Sequence, residues 1–127
     1  MQSDMPLVVI VDDDPLVLSA TARSLARAGF RTICAESPFG VSALVLKERP
    51  DVVVLDVNMP GLDGTHLVRL LRSSPLTAQT RVVFYSGMGE QELKQLAREN
   101  NAAYALKSRG GLALREVVMR SLASRAA

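Results

Sequence analysis

Three apolar runs, Leu7–Val11, Val52–Leu55 and Val82–Tyr85, lack apolar–polar alternation. Strands that face water on one side alternate apolar and polar positions, so uninterrupted runs point to strands covered on both faces, as in a parallel sheet sandwiched between helices. Arg31-Thr32-Ile33-Cys34-Ala35 does alternate, as an edge strand would, and Ala103–Leu106 is a weaker fifth run. Helical signals lie between them. Asp14 as N-cap, Pro15 at the first helical position and Gly29 as terminator mark a first helix, and Ser37 and Pro38 repeat that start before residues 41–47. Thr65–Arg72 carries Leu67, Leu70 and Leu71 at helical spacing, and Glu90–Asn100 places Leu93, Leu96 and Ala97 on one stripe behind an acidic first turn. A last helix is expected over Leu112–Arg125, with Leu114, Val117, Val118 and Leu122 inward and Leu112 and Met119 outward. This alternation predicts an α/β fold: a doubly wound, five-stranded parallel sheet with right-handed crossovers and strand order 2-1-3-4-5.

A chain of 127 residues that is 48% hydrophobic suits one domain with a sizeable core. The only cysteine, Cys34, has no intramolecular disulfide partner, and the only histidine, His66, has no neighbour at metal-ligand spacing, which fits a reducing, cytoplasmic setting. Residues 1–6 are acidic, and the apolar run behind them is too short for a signal peptide or a membrane span. A formal net charge of +2 without a block of like charges gives no electrostatic case for direct nucleic-acid binding. Arg109, Arg115, Arg120 and Arg125 read as a solvated basic face.

Open parallel sheets bind their ligands at the C-terminal strand ends, near the switch point between strands one and three. Those ends carry Asp12 and Asp13 after the first strand, Asp56 after the third, Ser86 after the fourth and Lys107 after the fifth. Gathering carboxylates costs several kcal/mol in repulsion and desolvation unless a cation is held among them. Acids, a hydroxyl and a lysine around one pocket suit phosphoryl transfer to a carboxylate, with Mg²⁺ on the acids and Asp56 as nucleophile.

Val11-Asp12-Asp13, Leu55-Asp56-Val57-Asn58-Met59-Pro60-Gly61-Leu62-Asp63-Gly64, Ser86-Gly87 and Tyr104-Ala105-Leu106-Lys107, in that order, resemble a response-regulator receiver domain over nearly the whole chain, 1–127. The resemblance implies a flavodoxin-like (βα)5 fold and a phosphorylation-dependent switch of a two-component system, not a conventional enzyme. In it Asp56 accepts a phosphoryl group from a sensor histidine kinase or phosphotransfer protein, or from a small acyl phosphate. It implies that Asp13 ligates Mg²⁺ directly, Asp12 mainly through water, and Asp56 and the backbone carbonyl of Asn58 complete the shell. Ser86 and Lys107 would hold phosphoryl oxygens, and Tyr104 would turn inward as Ser86 shifts. The fourth and fifth helices and the fifth strand would then present a changed surface to a downstream protein or effector domain. Ser108 follows Lys107 where most receivers carry a proline in a cis bond, and the charge pairing that often marks symmetric dimers on that surface is not evident.

Two other readings stand beside it. A receiver-like adaptor working without phosphorylation would be favoured by loss of the acid, hydroxyl or lysine, all of which are present. Leu62-Asp63-Gly64-Thr65 echoes part of the haloacid-dehalogenase nucleophile motif, but Gly61 stands where its first aspartate belongs. No effector segment follows in the 127 residues, which suits a single-domain regulator or a receiver from a longer chain.

Overall fold

The computed structural model describes residues 5–59 and 62–124, for 62 and 63 the backbone alone. Residues 1–4, Pro60, Gly61 and Arg125 of the sequence reading lie outside them. Five parallel strands form the sheet: β1 (Leu7–Val11), β2 (Arg31–Ala35), β3 (Val52–Leu55), β6 (Arg81–Ser86) and β7 (Ala103–Leu106), in the order β2-β1-β3-β6-β7. Among these five the succession is the expected 2-1-3-4-5. The numbering differs because two further strands, β4 (Asn58–Met59) and β5 (Leu62–Asp63), form a small antiparallel hairpin. Two-residue strands are too short to show any periodicity.

β1 and β3 are buried at every position, and β6 at all but its first. The period-2 geometry of a strand sends Val9 and Val11 to one face and Val8 and Ile10 to the other. The first face packs against α2 (Val41–Glu48), α3 (Gly64–Arg72) and α4 (Glu90–Glu99) through Val45, Val68, Leu71 and Leu93. The second packs against α1 (Pro15–Arg27) and α5 (Gly110–Ala123) through Leu18, Leu25, Leu114 and Val118. β2 and β7 close the two edges and are only partly covered.

The start of α1 is as expected: the Asp14 carboxylate accepts the Leu16 N–H at 2.9 Å, and Pro15 opens the helix. α2 departs from expectation. Ser37 Oγ accepts the Phe39 N–H at 3.1 Å and Val41 N–H reaches the Pro38 carbonyl at 3.2 Å, so this pair makes a turn, and the helix is capped by Gly40 at φ +79°. On α3 the inward set is Leu67, Val68 and Leu71, while Leu70 faces outward; Val68 sits one position nearer the centre of the buried stripe. α5 begins two residues earlier than expected, at Gly110, and leaves Leu112 and Met119 outward as expected.

At the N-terminal edge of the sheet, Arg72 at the end of α3 gathers two loops. Its guanidinium donates to the carbonyls of Ala78 (3.1 Å), Thr80 (2.6 Å) and Asn101 (3.1 Å), which fastens the segments leading into β6 and β7. Hydrogen bonds from a charged donor contribute more than neutral ones, and an orphaned carbonyl adds a desolvation cost. Arg72→Ala is therefore expected to lower stability by about 2 kcal/mol in urea unfolding, without affecting divalent-cation binding at the opposite edge.

Candidate functional site

Each strand of the sheet delivers its next polar residue to the C-terminal edge. The Asp12 N–H donates to the Ala35 carbonyl at 3.1 Å and the Asp56 N–H to the Val11 carbonyl at 3.0 Å, so the ladder hydrogen bonding continues through both aspartates and holds their backbones side by side. Asp12 and Asp56 are buried, whereas Asp13 is exposed. Asp12 Oδ1 accepts the Asp14 N–H and Asp56 Oδ1 accepts the Asn58 N–H, each at 2.9 Å, turns that fix both carboxylates. Gly64 keeps the loop after Asp56 in place: a Cβ there would lie 2.7 Å from the Val57 Cα, so only glycine lets the start of α3 approach that backbone.

Lys107 crosses from the end of β7. Its Nζ donates to Asp12 Oδ2 at 2.7 Å and to Asp56 Oδ2 at 3.0 Å. Burial pulls the ammonium toward its neutral form, but the hydrogen bonds it donates to Asp12 and Asp56, together with their charges, outweigh this and raise its pKa above the ordinary value. Carboxylate oxygens of Asp12, Asp13 and Asp56 all lie within 4.8 Å of one another. Three carboxylates against one ammonium leave an excess of negative charge in a hard-oxygen donor set, which fits a divalent cation such as Mg²⁺.

The structure brings Asp12, Asp13, Asp56 and Lys107 together, while among the described residues neither Ser86 nor Tyr104 hydrogen-bonds to any of them. Ser86 is fully buried, and its Oγ accepts the Met88 N–H at 3.3 Å. Tyr104 faces outward, its hydroxyl donating to Glu90 Oε2 at 3.0 Å, with Glu90 Oε1 3.6 Å from Arg109 Nη2. Asn58 is exposed on β4 with its amide tied to Asp56. The Lys107–Ser108 bond is trans, and residues 107–109 form a turn of 3-10 helix. His66 is exposed on α3. Two neighbours escaped the sequence reading. The sequence shows Glu90 only as part of an acidic first turn, with nothing to mark its hydrogen bond to Tyr104. Tyr85 lies close enough to the cluster that Lys107 and Asp12 affect its phenol, which burial foremost raises above its ordinary pKa. Its place in an aliphatic run hid it.

Residues 8–110 match the family model described as the response regulator receiver domain. The chain belongs to the response-regulator receiver family. Among its relatives is the phosphate regulon transcriptional regulatory protein PhoB of Pseudomonas aeruginosa, 30% identical over 68% of this chain and 38% of that protein. Another is the probable transcriptional regulatory protein NarL of Mycobacterium tuberculosis, 35% identical over 80% of this chain and 47% of that protein. The chain spans less than half the length of these curated relatives. The chemotaxis response regulator CheY4 of Vibrio cholerae superposes with a TM-score of 0.83 at 26% identity, covering 93% of this chain and 99% of that one. A two-component response regulator of the LuxR family from Aurantimonas sp. gives 0.85 at 25% identity, covering 96% and 88%. Receivers are signalling domains for which aspartate phosphorylation and Mg²⁺ are general features. Among the described residues no helix is long and apolar enough to cross a membrane.

The Lys107 ammonium occupies oxygens that a divalent cation would use. Lys107→Met is therefore expected to bind Mg²⁺ several-fold more tightly in calorimetric titration. A raised lysine pKa stabilises the folded protein fully below the unfolded-chain value of about 10.4 and loses that contribution as pH rises through the folded value. In urea unfolding with a chelator present, the stability difference between wild type and Lys107→Met should therefore stay constant through neutral pH and narrow only at strongly alkaline pH.

Proposed function

We propose that residues 1–127 act as one receiver domain in the cytoplasm, in which Asp56 accepts a phosphoryl group from a phosphohistidine on a sensor kinase or phosphotransfer protein, or from a small acyl phosphate. The observation that carries this reading is the buried Asp56 carboxylate, held on one oxygen by the Asn58 amide and on the other by Lys107, beside Asp12 and Asp13. In-line attack of an Asp56 oxygen on phosphorus forms the O–P bond as the P–N bond to imidazole, or the P–O bond to the acyl oxygen, breaks, and the leaving group keeps the electron pair. Asp13, Asp12, Asp56 and the Asn58 carbonyl would hold Mg²⁺, which supplies positive charge against the phosphoryl oxygens. Lys107 can transfer one of its two carboxylate bonds to a phosphoryl oxygen without losing its charge. Ser86 Oγ accepts from Met88 and so keeps its own O–H free to donate.

In this reading the signalling step runs through Ser86 and Tyr104. Moving Ser86 toward a phosphoryl oxygen opens space in the core beside β7, and Tyr104 trades its outward bond to Glu90 for that space. A ligand or modification acts on such an equilibrium only through its differential affinity for the two arrangements. The α4, β7 and α5 surface is the readout for a downstream protein or effector domain, with no direct contact to nucleic acid or membrane.

The test is intact mass after incubation with acetyl phosphate and Mg²⁺. Wild type is expected to gain one phosphoryl group, and the gain should vanish in Asp56→Asn and in chelator. No gain in a folded wild-type protein would overturn the phosphoacceptor reading and leave an adaptor that works unphosphorylated.

A further inference from the structure

Lys107 also lines a cavity of about 520 Å³ between α1 and α5. Its size falls in the range of small-molecule sites. Three cationic side chains line it, Arg27 from the last turn of α1, Arg115 from α5 and Lys107 itself, and no carboxylate does. Among the described residues Arg27 and Arg115 make no ion pair or hydrogen bond. Lys107 commits two of its three N–H donors to Asp12 and Asp56, which leaves one.

Charge alone does not single this cavity out. A groove of about 470 Å³ between α4 and α5 is likewise lined by Lys94, Arg98 and Arg120 with no acid. Those three are all exposed, however, whereas in the α1–α5 cavity only Arg27 is and Arg115 and Lys107 are half-buried, and the phenol beside the α4–α5 groove, Tyr104, already donates to Glu90. In the α1–α5 cavity the phenol is Tyr85, which is only 7% exposed. Its hydroxyl has no hydrogen-bond partner among the described residues, yet it is not sealed from solvent-sized space, so it opens into the cavity. Open to the cavity, that hydroxyl meets water when no ligand is bound, and an anionic acceptor there would replace the water with a charge-assisted hydrogen bond.

The shape narrows the ligand. Val17 to Arg27 spans ten residues of helix, a length of about 15 Å. Lys107 and Tyr85 stand near the end where α1 begins and Arg27 at the other. The wall between includes Val17, Ala20 and the outward Leu112. We propose that the α1–α5 cavity binds an elongated small molecule with an anionic group at each end and an apolar middle. One anionic group accepts from Tyr85 and from the spare Lys107 N–H, the other meets Arg27 and Arg115, and the apolar segment lies along Val17 and Leu112. Since Lys107 is the wall shared with the Asp12 and Asp56 cluster, the ligand bears on the ammonium that holds Asp56, and in this respect the inference rests on the proposed function.

Suberate, an eight-carbon dicarboxylate, is a suitable probe, with octanoate as its single-ended control. Titration of ¹⁵N-labelled full chain, in chelator and without phosphodonor, is expected to give saturable amide shifts centred on Ser24, Lys107, Gly111 and Arg115. Suberate should bind more tightly than octanoate. Arg27→Gln combined with Arg115→Gln should weaken it about tenfold or more, the equivalent of one or two charge-assisted hydrogen bonds, and Tyr85→Phe should weaken it without altering the fold. The proposal is overturned by shifts that do not saturate into the tens of millimolar, by equal shifts in the Lys94, Arg98 and Arg120 groove, by indifference to the double variant, or by equal affinity for octanoate. Neither Mg²⁺ nor phosphorylation enters this measurement, so its failure is distinct from failure of Asp56 to accept a phosphoryl group.

Discussion

The C-terminal edge of the sheet depends on one ammonium group. Asp12 and Asp56 end neighbouring strands, so the parallel ladder itself forces two carboxylates together where little water reaches them. Without an opposing charge the two carboxylates would repel each other. Lys107, two strands away across β6, supplies the opposing charge at 2.7 and 3.0 Å. Each carboxylate divides its work in the same way: one oxygen accepts the backbone N–H two residues on, the other accepts from Lys107. Local turns therefore aim both groups, and the long-range ion pair brings their free oxygens to one point. Asp13, exposed and outside that pair, adds a third charge that nothing in the described site neutralises, and the surplus suits the site to a divalent cation.

Most of this was legible in the sequence because a parallel sheet converts chain order into position. Once Leu7–Val11, Val52–Leu55 and Val82–Tyr85 are taken as buried strands, the residues after them must share an edge, and Asp12, Asp56 and Ser86 are placed without knowledge of any side-chain contact. Lys107 was placed by the same argument from a weaker run. What escaped the sequence was decided by competition between local alternatives. Ser37 and Pro38 resemble a helix start, but the Ser37 hydroxyl bonds to Phe39 and the glycine at 40 takes over the cap. Leu70 and Val68 compete for one stripe on α3, and position on the helix, not side-chain size, put Val68 inward. The β4–β5 hairpin depends on pairing across a loop that no periodicity reveals.

Tyr85 illustrates a different limit. Neighbouring positions on a strand face opposite sides of the sheet, so Ser86 and Tyr85 belong to different environments although they adjoin in sequence. Ser86 lies among groups facing α4, while Tyr85 packs with Ala105, Leu114 and Val118 under α1 and α5. Lys107 reaches between them because it leaves the sheet at its edge. The same lysine is thus the boundary of two polar environments, one acidic and one basic.

Tyr104 and Glu90 bear on how readily the proposed switch can move. A two-state element needs a gap of only a few kcal/mol, so that a local change in charge can reverse it. The outward position of Tyr104 is held by one hydrogen bond to a largely exposed carboxylate, whose second contact, to Arg109, is long at 3.6 Å and open to solvent. Exposed pairs of this kind contribute little after screening and side-chain entropy. The aromatic ring, by contrast, already packs against the α2, α3 and α4 side of the core and would keep apolar surroundings if it rotated inward. In the proposed switch, turning Tyr104 inward would exchange a weak polar contact for burial, opposed by whatever occupies the space beside Ser86. On that proposal, control of the outward surface would rest with the packing beneath β6 and β7, where a phosphoryl group on Asp56 would act through the Ser86 hydroxyl.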